Sequence, residues 1–238
     1  MSIPSQIWHF LGSGSSWTGQ YGVPARLGQH AAICAVTLAL AAVVALPLGV
    51  GLARLRRGGW IASSLANAGR SVPVLGVLIL FAVGPLGVGT SAAVAALVIF
   101  ALPPLVTNAY TGIREVDADV RLSAVAMGMT SWQVLWRVEL PLALPLIAAG
   151  VRIAAVQVWA TATLAAIVGS GGLGRFIVDG YAIQDYGQVY GGAIVVAITA
   201  ILLEGLLAWA QRRLHASFGG AVAPAAEAPV ARSGTAVA

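Results

Sequence analysis

Residues Glu115 to Pro141 read EVDADVRLSAVAMGMTSWQVLWRVELP, a polar island between two long apolar stretches. A charged, helix-forming insert stands out in so apolar a chain. Of the 238 residues, 59% are hydrophobic and 9% charged, and the mean hydropathy is +0.90. Soluble domains carry roughly 25% charged residues. The composition is that of an integral membrane protein, and the length suits one polytopic domain.

Within the island, Asp117 or Asp119 can cap a helix over 120–127, because a carboxylate there accepts orphan amide protons and meets the positive end of the helix dipole. Gly128 ends that helix. Thr130 opens a second short one, and Gln133 three residues on completes a T-x-x-Q capping box. Trp132, Leu135 and Trp136 fall on one face at i, i+3 and i+4. Pro141 and Pro145 set the start of the following apolar run. Two short helices joined at a glycine suit either a docking element held in a partner's groove or an interfacial hairpin that merely connects two spans.

Outward from the island, five spans are expected, at about 29–53, 61–84, 89–109, 142–168 and 187–211. Each reaches about the 20 residues that a hydrocarbon core requires. The fold class is therefore all-α and membrane-embedded: a polytopic helical bundle over 29–214 with a loop hairpin at 115–141. Residues 1–28, with Trp8, Trp17 and Tyr21, lack the pattern of a cleaved leader and form a separate N-terminal segment. Residues 215–238, rich in Ala, Pro and Val, are expected to be a disordered tail.

Arginine placement sets the expected orientation. With five spans, Arg54, Arg56, Arg57, Arg114, Arg121, Arg137, Arg212 and Arg213 fall on one side, and Arg26 and Arg175 on the other. Positive residues favour the cytoplasm, so the island and C-terminus are expected inside and the N-terminus and loop 169–186 outside.

Several function classes are disfavoured. All thirteen basic residues are arginines, dispersed at span ends, which fits topology rather than nucleic-acid binding. Without lysine, the G-x-x-x-x-G-K-[ST] phosphate loop cannot form. His9, His30 and His215 are scattered, so neither a metal cluster nor a catalytic triad is expected, and no cofactor. Cys34 is the single cysteine and forms no intrachain disulfide.

Charges within spans call for partners. Arg152 lies seven residues beyond Pro145 and Glu204 seven before Gln211, which puts both about 10 Å from the cytoplasmic end. They are expected to pair, within the chain or across a dimer, as a structural ion pair or as a gate. The four glycines of 169–174 suit a turn that lets backbone approach closely, or a flexible connection. Tyr181, Tyr186 and Tyr190 suit an interfacial aromatic belt, or a cage for a quaternary amine. Trp159 lines a solute route or packs with its indole bonded internally. Arg70 can snorkel to the nearer surface.

The run from Ala124 through Gly128 and Val138 to Leu140-Pro141 resembles the EAA loop of ABC-importer permeases, with Leu122, Ser123 and Ala124 in the Glu-Ala-Ala register. Leu122 departs from the usual glutamate. Asn108-Ala109-Tyr110-Thr111-Gly112-Ile113, Val116-Asp117, Met127 to Gln133 and Gly171 to Ile177 are similar to permeases of glycine betaine, carnitine and choline importers. Ser71-Val72-Pro73 resembles the opening of their second span. The likeness covers about residues 30–214. It implies a bacterial inner-membrane transport subunit working with an ATP-binding chain, a second permease chain (identical or not) and an extracytoplasmic substrate-binding protein. ATPase coupling then falls to Leu122, Ser123, Ala124, Met127, Gly128, Met129, Thr130, Trp132 and Pro141. Ser71, Pro73, Trp159, Gly171, Gly172 and Gly174 become candidate translocation residues. An ABC permease for amino acids or other small solutes is a second reading, and a stand-alone secondary transporter or channel a third.

Overall fold

Apolar runs in a low-dielectric surrounding must satisfy their own backbone hydrogen bonds, and helices do so within one segment. The computed structural model describes residues 2–55 and 58–218, without the side chains of Arg70 and residues 214–218. The expectations for Arg56, Arg57, the Arg70 side chain and most of the tail therefore lie outside the described residues.

In chain order the helices are α1 (Ile3–Gly12), α2 (Gly14–Trp17), α3 (Val23–Ala53), α4 (Gly58–Ser71), α5 (Val74–Val83), α6 (Thr90–Arg114), α7 (Ala118–Ala126) and α8 (Ser131–Val134). A π-helical turn at Leu135–Glu139 joins α8 to α9 (Leu140–Thr161), and a 3-10 stretch at Ala162–Val168 extends it. Then come α10 (Gly174–Ala182) and α11 (Tyr186–Phe218). Among the described residues, four helical stretches are long and apolar enough to cross a membrane: Val23–Ala53, Thr90–Arg114, Ser131–Val168 and Tyr186–Arg213.

The fifth span is broken. α4 and α5 meet at an 80° bend around Val72 and Pro73. Proline has no amide proton to give the preceding turn and forces the residue before it out of helical geometry. The pair still traverses the bundle. Gly59 lies against the Tyr110 hydroxyl near one end of α6, Gly69 against Pro103 midway, and Leu78 and Ala82 cluster with Ala92, Ala93 and Ala96 at the other end.

Two further boundaries differ from the hydropathy reading. α3 starts at Val23, not near residue 29, because Gly22 and Pro24 supply a helix start ahead of the apolar run. The second island helix does not stop before the next span. Pro141 cannot donate to the turn before it, so the Leu140 N–H bonds the Leu135 carbonyl and the helix passes through a wider turn without breaking.

The centre of the bundle is α3 against α6 against α9, packed through small residues that let backbones approach. A Cβ at Gly49 on α3 would fall 2.7 Å from both the Ala109 Cβ and the Val106 carbonyl of α6. On α9, a Cβ at Gly150 would lie 2.5 Å from the Asn108 Cβ. Replacing Gly49 with valine should lower stability by about 1–3 kcal/mol through overpacking. Thermal unfolding in detergent checks this, with Gly28→Ala, whose added methyl meets nothing within 4 Å, expected to unfold no earlier than the parent.

Candidate functional site

The island folds from its ends inward. Asp117 caps α7, its Oδ1 accepting the Asp119 N–H at 2.7 Å. Gly128 takes φ +84°, the left-handed conformation glycine adopts without a side-chain clash. The Met129 N–H then reaches back to the Ala124 carbonyl at 3.2 Å and closes the helix end. Across Thr130 the capping box forms in full: the Thr130 N–H donates to Gln133 Oε1 at 2.8 Å, and the Gln133 N–H to Thr130 Oγ1 at 3.3 Å. Caps of this kind contribute about 1 kcal/mol each.

What fixes the island to the bundle is Glu139, which the sequence reading did not single out. Its side chain is 8% exposed and sits between two arginines from separate segments. Arg54, at the C-terminal end of α3, donates from Nη2 to Glu139 Oε2 at 2.7 Å. Arg121 of α7 pairs with Oε1 at 3.1 Å and also donates to the Ile113 carbonyl. One carboxylate thus ties the end of the first span, the island's first helix and the start of the fourth span. The available signal was a lone acid, between Val138 and Leu140, opening an apolar run on the arginine-rich side of the bundle.

With α7 held this way, Ala124 faces inward and is buried, while Leu122, Ser123, Val125 and Met127 face out. Leu122 is 65% exposed, Met127 73%, Trp132 66% and Trp136 55%. The two tryptophan rings meet edge to face at 5.5 Å. Leu135, expected on the same face, is buried instead with Ile113 and Ala143. Thr130 is exposed, Met129 half-buried, and Pro141 half-buried in the first turn of α9. The outcome is an exposed apolar ridge running from α7 to the tip of the fourth span, the kind of surface that marks an interaction site.

The intramembrane charges do meet. Arg152 Nε donates to Glu204 Oε1 at 2.9 Å, Nη2 makes a second contact to the same oxygen, and Nη1 donates to Gln211 Oε1 at 3.0 Å. Glu204 and Gln211, two turns apart on α11, thus hold one guanidinium of α9.

At the end opposite the island, the glycine loop is packed, which fits the close-approach alternative. Gly172 has φ +96°, and its N–H donates to Gln29 Oε1 at 3.2 Å. A Cβ on Gly171 would fall 2.6 Å from Gln29 Oε1, and one on Gly174 2.1 Å from the Thr163 carbonyl. Next to the loop, His30 is fully buried, with Nε2 at 3.0 Å from the Trp159 carbonyl and its ring edge-on to the indole at 4.7 Å. Trp159 is itself buried, and its indole N–H donates to Thr199 Oγ1 at 3.3 Å. Ser71 and Pro73 flank the α4–α5 break, far in sequence from these residues and outside their cluster. Tyr181, Tyr186 and Tyr190 are exposed near this same end. No group of three or more His, Cys, Asp or Glu side chains that could hold a metal occurs among the described residues.

Four long apolar helices, one broken span and a structured loop clamped at one end define a polytopic membrane component of the transport type. The chain belongs to the family of binding-protein-dependent transport system inner membrane components, whose model matches residues 45–219. It is 36% identical over 189 residues to the glycine betaine/carnitine/choline transport system permease protein OpuCB of Bacillus subtilis, covering 79% of this chain and 87% of that one. It is 41% identical over 189 residues to the carnitine transport permease protein OpuCD of Listeria monocytogenes, covering 79% and 84%. Its fold matches that of the inward-facing MetNI methionine ABC transporter with a TM-score of 0.68 at 24% identity, over 81% of this chain and 95% of that one.

Removing the Glu139 carboxylate should cost about 1–3 kcal/mol, because Arg54 loses a hydrogen-bonding partner and Arg121 an ion-pair partner. A double-mutant cycle on thermal unfolding with Arg121→Ala and Glu139→Ala should return a coupling of about 0.5–3 kcal/mol. For the second ion pair, Arg152→Gln and Glu204→Gln should each reduce the yield of assembled protein. The exchange Arg152→Glu with Glu204→Arg should restore part of it, as read by size-exclusion chromatography.

Proposed function

We propose that this chain is the permease subunit of an ATP-driven importer for osmoprotectants of the quaternary-amine class, such as glycine betaine, carnitine or choline. The substrate class rests on the named relatives; the methionine transporter bears on the fold alone. Hydrolysis of ATP belongs to a separate ATP-binding chain, in keeping with a sequence that has no lysine for a phosphate loop. The observation that carries the coupling role is the exposed apolar ridge of Leu122, Val125, Met127, Trp132 and Trp136 on a rigidly capped loop.

In this reading the loop faces the cytoplasm and the N-terminus the outside, as the arginine distribution favours. The ATP-binding subunit docks on α7 and the Gly128–Thr130 corner. Leu122 replaces the polar contact usual at that position with an apolar one, so docking draws its affinity from buried area. A second permease chain completes the pathway, and an extracytoplasmic binding protein delivers the solute to the glycine-loop end. Closing the ATPase dimer moves the loop. Glu139 passes that movement directly to α3 and α9, and the bundle switches the side to which it opens.

Changing Leu122 and Met127 together to aspartate should leave the bundle folded, since both side chains are exposed, and reduce the co-purified ATP-binding subunit at least tenfold. Uptake of labelled glycine betaine and choline into proteoliposomes should fall with it. Retention of the ATP-binding subunit and undiminished uptake in this variant would refute the docking assignment.

A further inference from the structure

Midway along the bundle, beside the α4–α5 break, a groove of about 400 Å³ opens between α4, α6 and α9. This volume is within the range of small-molecule sites, about 300–1,000 Å³. Its lining includes Gly69, Phe100, Thr107, Asn108, Ile153 and Gln157. Phe100 lies ten residues into α6 from Thr90, about 15 Å at the helical rise. At that depth, polar side chains are expensive unless they face protein or a solute path.

The groups on offer here are mostly oxygen acceptors. Pro104 has no amide proton, so the Phe100 carbonyl lacks its helical donor, and Gln157 Nε2 lies 3.5 Å from it. Asn108 Nδ2 is engaged with the Pro104 carbonyl at 2.8 Å, and its own side-chain oxygen accepts no bond among the described residues. The Thr107 hydroxyl nearby is itself buried and has no hydrogen-bond partner among the described residues, so it is not open to a solute in this conformation. Phe100 adds a ring face. No charged side chain lines the groove among the described residues.

We propose that this groove is where the solute contacts the bundle during passage, and that it takes a compact organic cation or zwitterion whose positive charge is spread over N-methyl groups. Such a head offers weakly acidic C–H groups to carbonyl oxygens and a diffuse charge to an aromatic face. It has no N–H donors that would call for stronger acceptors. An anion would meet no cationic side chain among the described lining residues, and a metal ion no carboxylate. Neutral dipoles also bind weakly, as a passage site must if the solute is to leave. This inference rests on the importer reading and adds the groove to the candidate route, in which Trp159 is buried in the core.

The single native cysteine makes the test direct. In a Cys34→Ala background, Asn108→Cys, Gln157→Cys and, as an outward-facing control on α11, Ile201→Cys (70% exposed in the wild type) are reconstituted with the ATP-binding and binding-protein components. The probe is a thiosulfonate bearing a trimethylammonium head, added from water. The two groove positions should be labelled at least tenfold faster than position 201, more slowly in the presence of choline, and labelling should reduce uptake at least tenfold. Equal rates at all three positions, complete labelling without loss of uptake, or an oxidant-induced crosslink joining position 108 of two copies would each overturn the proposal. Uptake by the unlabelled Cys34→Ala complex of methylated against unmethylated amines tests the importer reading separately, because the labelling contrast is readable whichever solute is carried.

Discussion

One buried carboxylate holds the loop end of this membrane domain together. Glu139 pairs with Arg54 and Arg121, and through them the first span, the loop and the fourth span share a fixed point. Charges taken out of water are unfavourable unless well paired, and a pair that loses one member leaves the other exposed to that cost. The loop cannot shift relative to the spans without carrying Arg54 along or breaking its pairing with Glu139.

The rest of the loop is built to be stiff on that fixed point. Asp117, the left-handed Gly128 and the Thr130–Gln133 box satisfy the backbone groups that helix ends leave open. The π-helical turn lets α8 run straight into α9, so the loop's second helix is the tip of a span and not a separate piece. A stiff loop with an apolar outer face and a charged inner anchor suits the docking role proposed for it.

Elsewhere the bundle divides its polar groups by purpose. Arg152, Glu204 and Gln211 bond one another between two helices, and Trp159 bonds His30 and Thr199 inside the core, where His30 Nδ1 has no partner among the described residues. Asn108 and Gln157 differ in lining an open groove at mid-depth beside a helix broken by proline. Of the two prolines in α6, Pro104 frees the Phe100 carbonyl on the groove side.

Local rules carried the sequence reading furthest. Capping residues and Gly128 act on neighbours within a few positions, so their roles were legible directly, and the offsets of Arg152 from Pro145 and of Glu204 from Gln211 gave the expectation that the two pair. Composition and the length of the apolar runs determined a helical membrane bundle, because of the two structures that satisfy the backbone across an apolar layer, helix and closed barrel, continuous runs of about 20 apolar residues suit the helix. Hydropathy placed the fifth span but could not show its 80° break, because a window average does not register a missing amide proton. Tertiary structure alone decided the rest: that Glu139 meets Arg54 across 85 positions, that Leu135 turns inward while Leu122 stays out, and that Phe100, Asn108 and Gln157 line one groove. These depend on how three helices pack through Gly49 and Gly150, and such close approach is a property of shape in space that no single stretch of sequence carries.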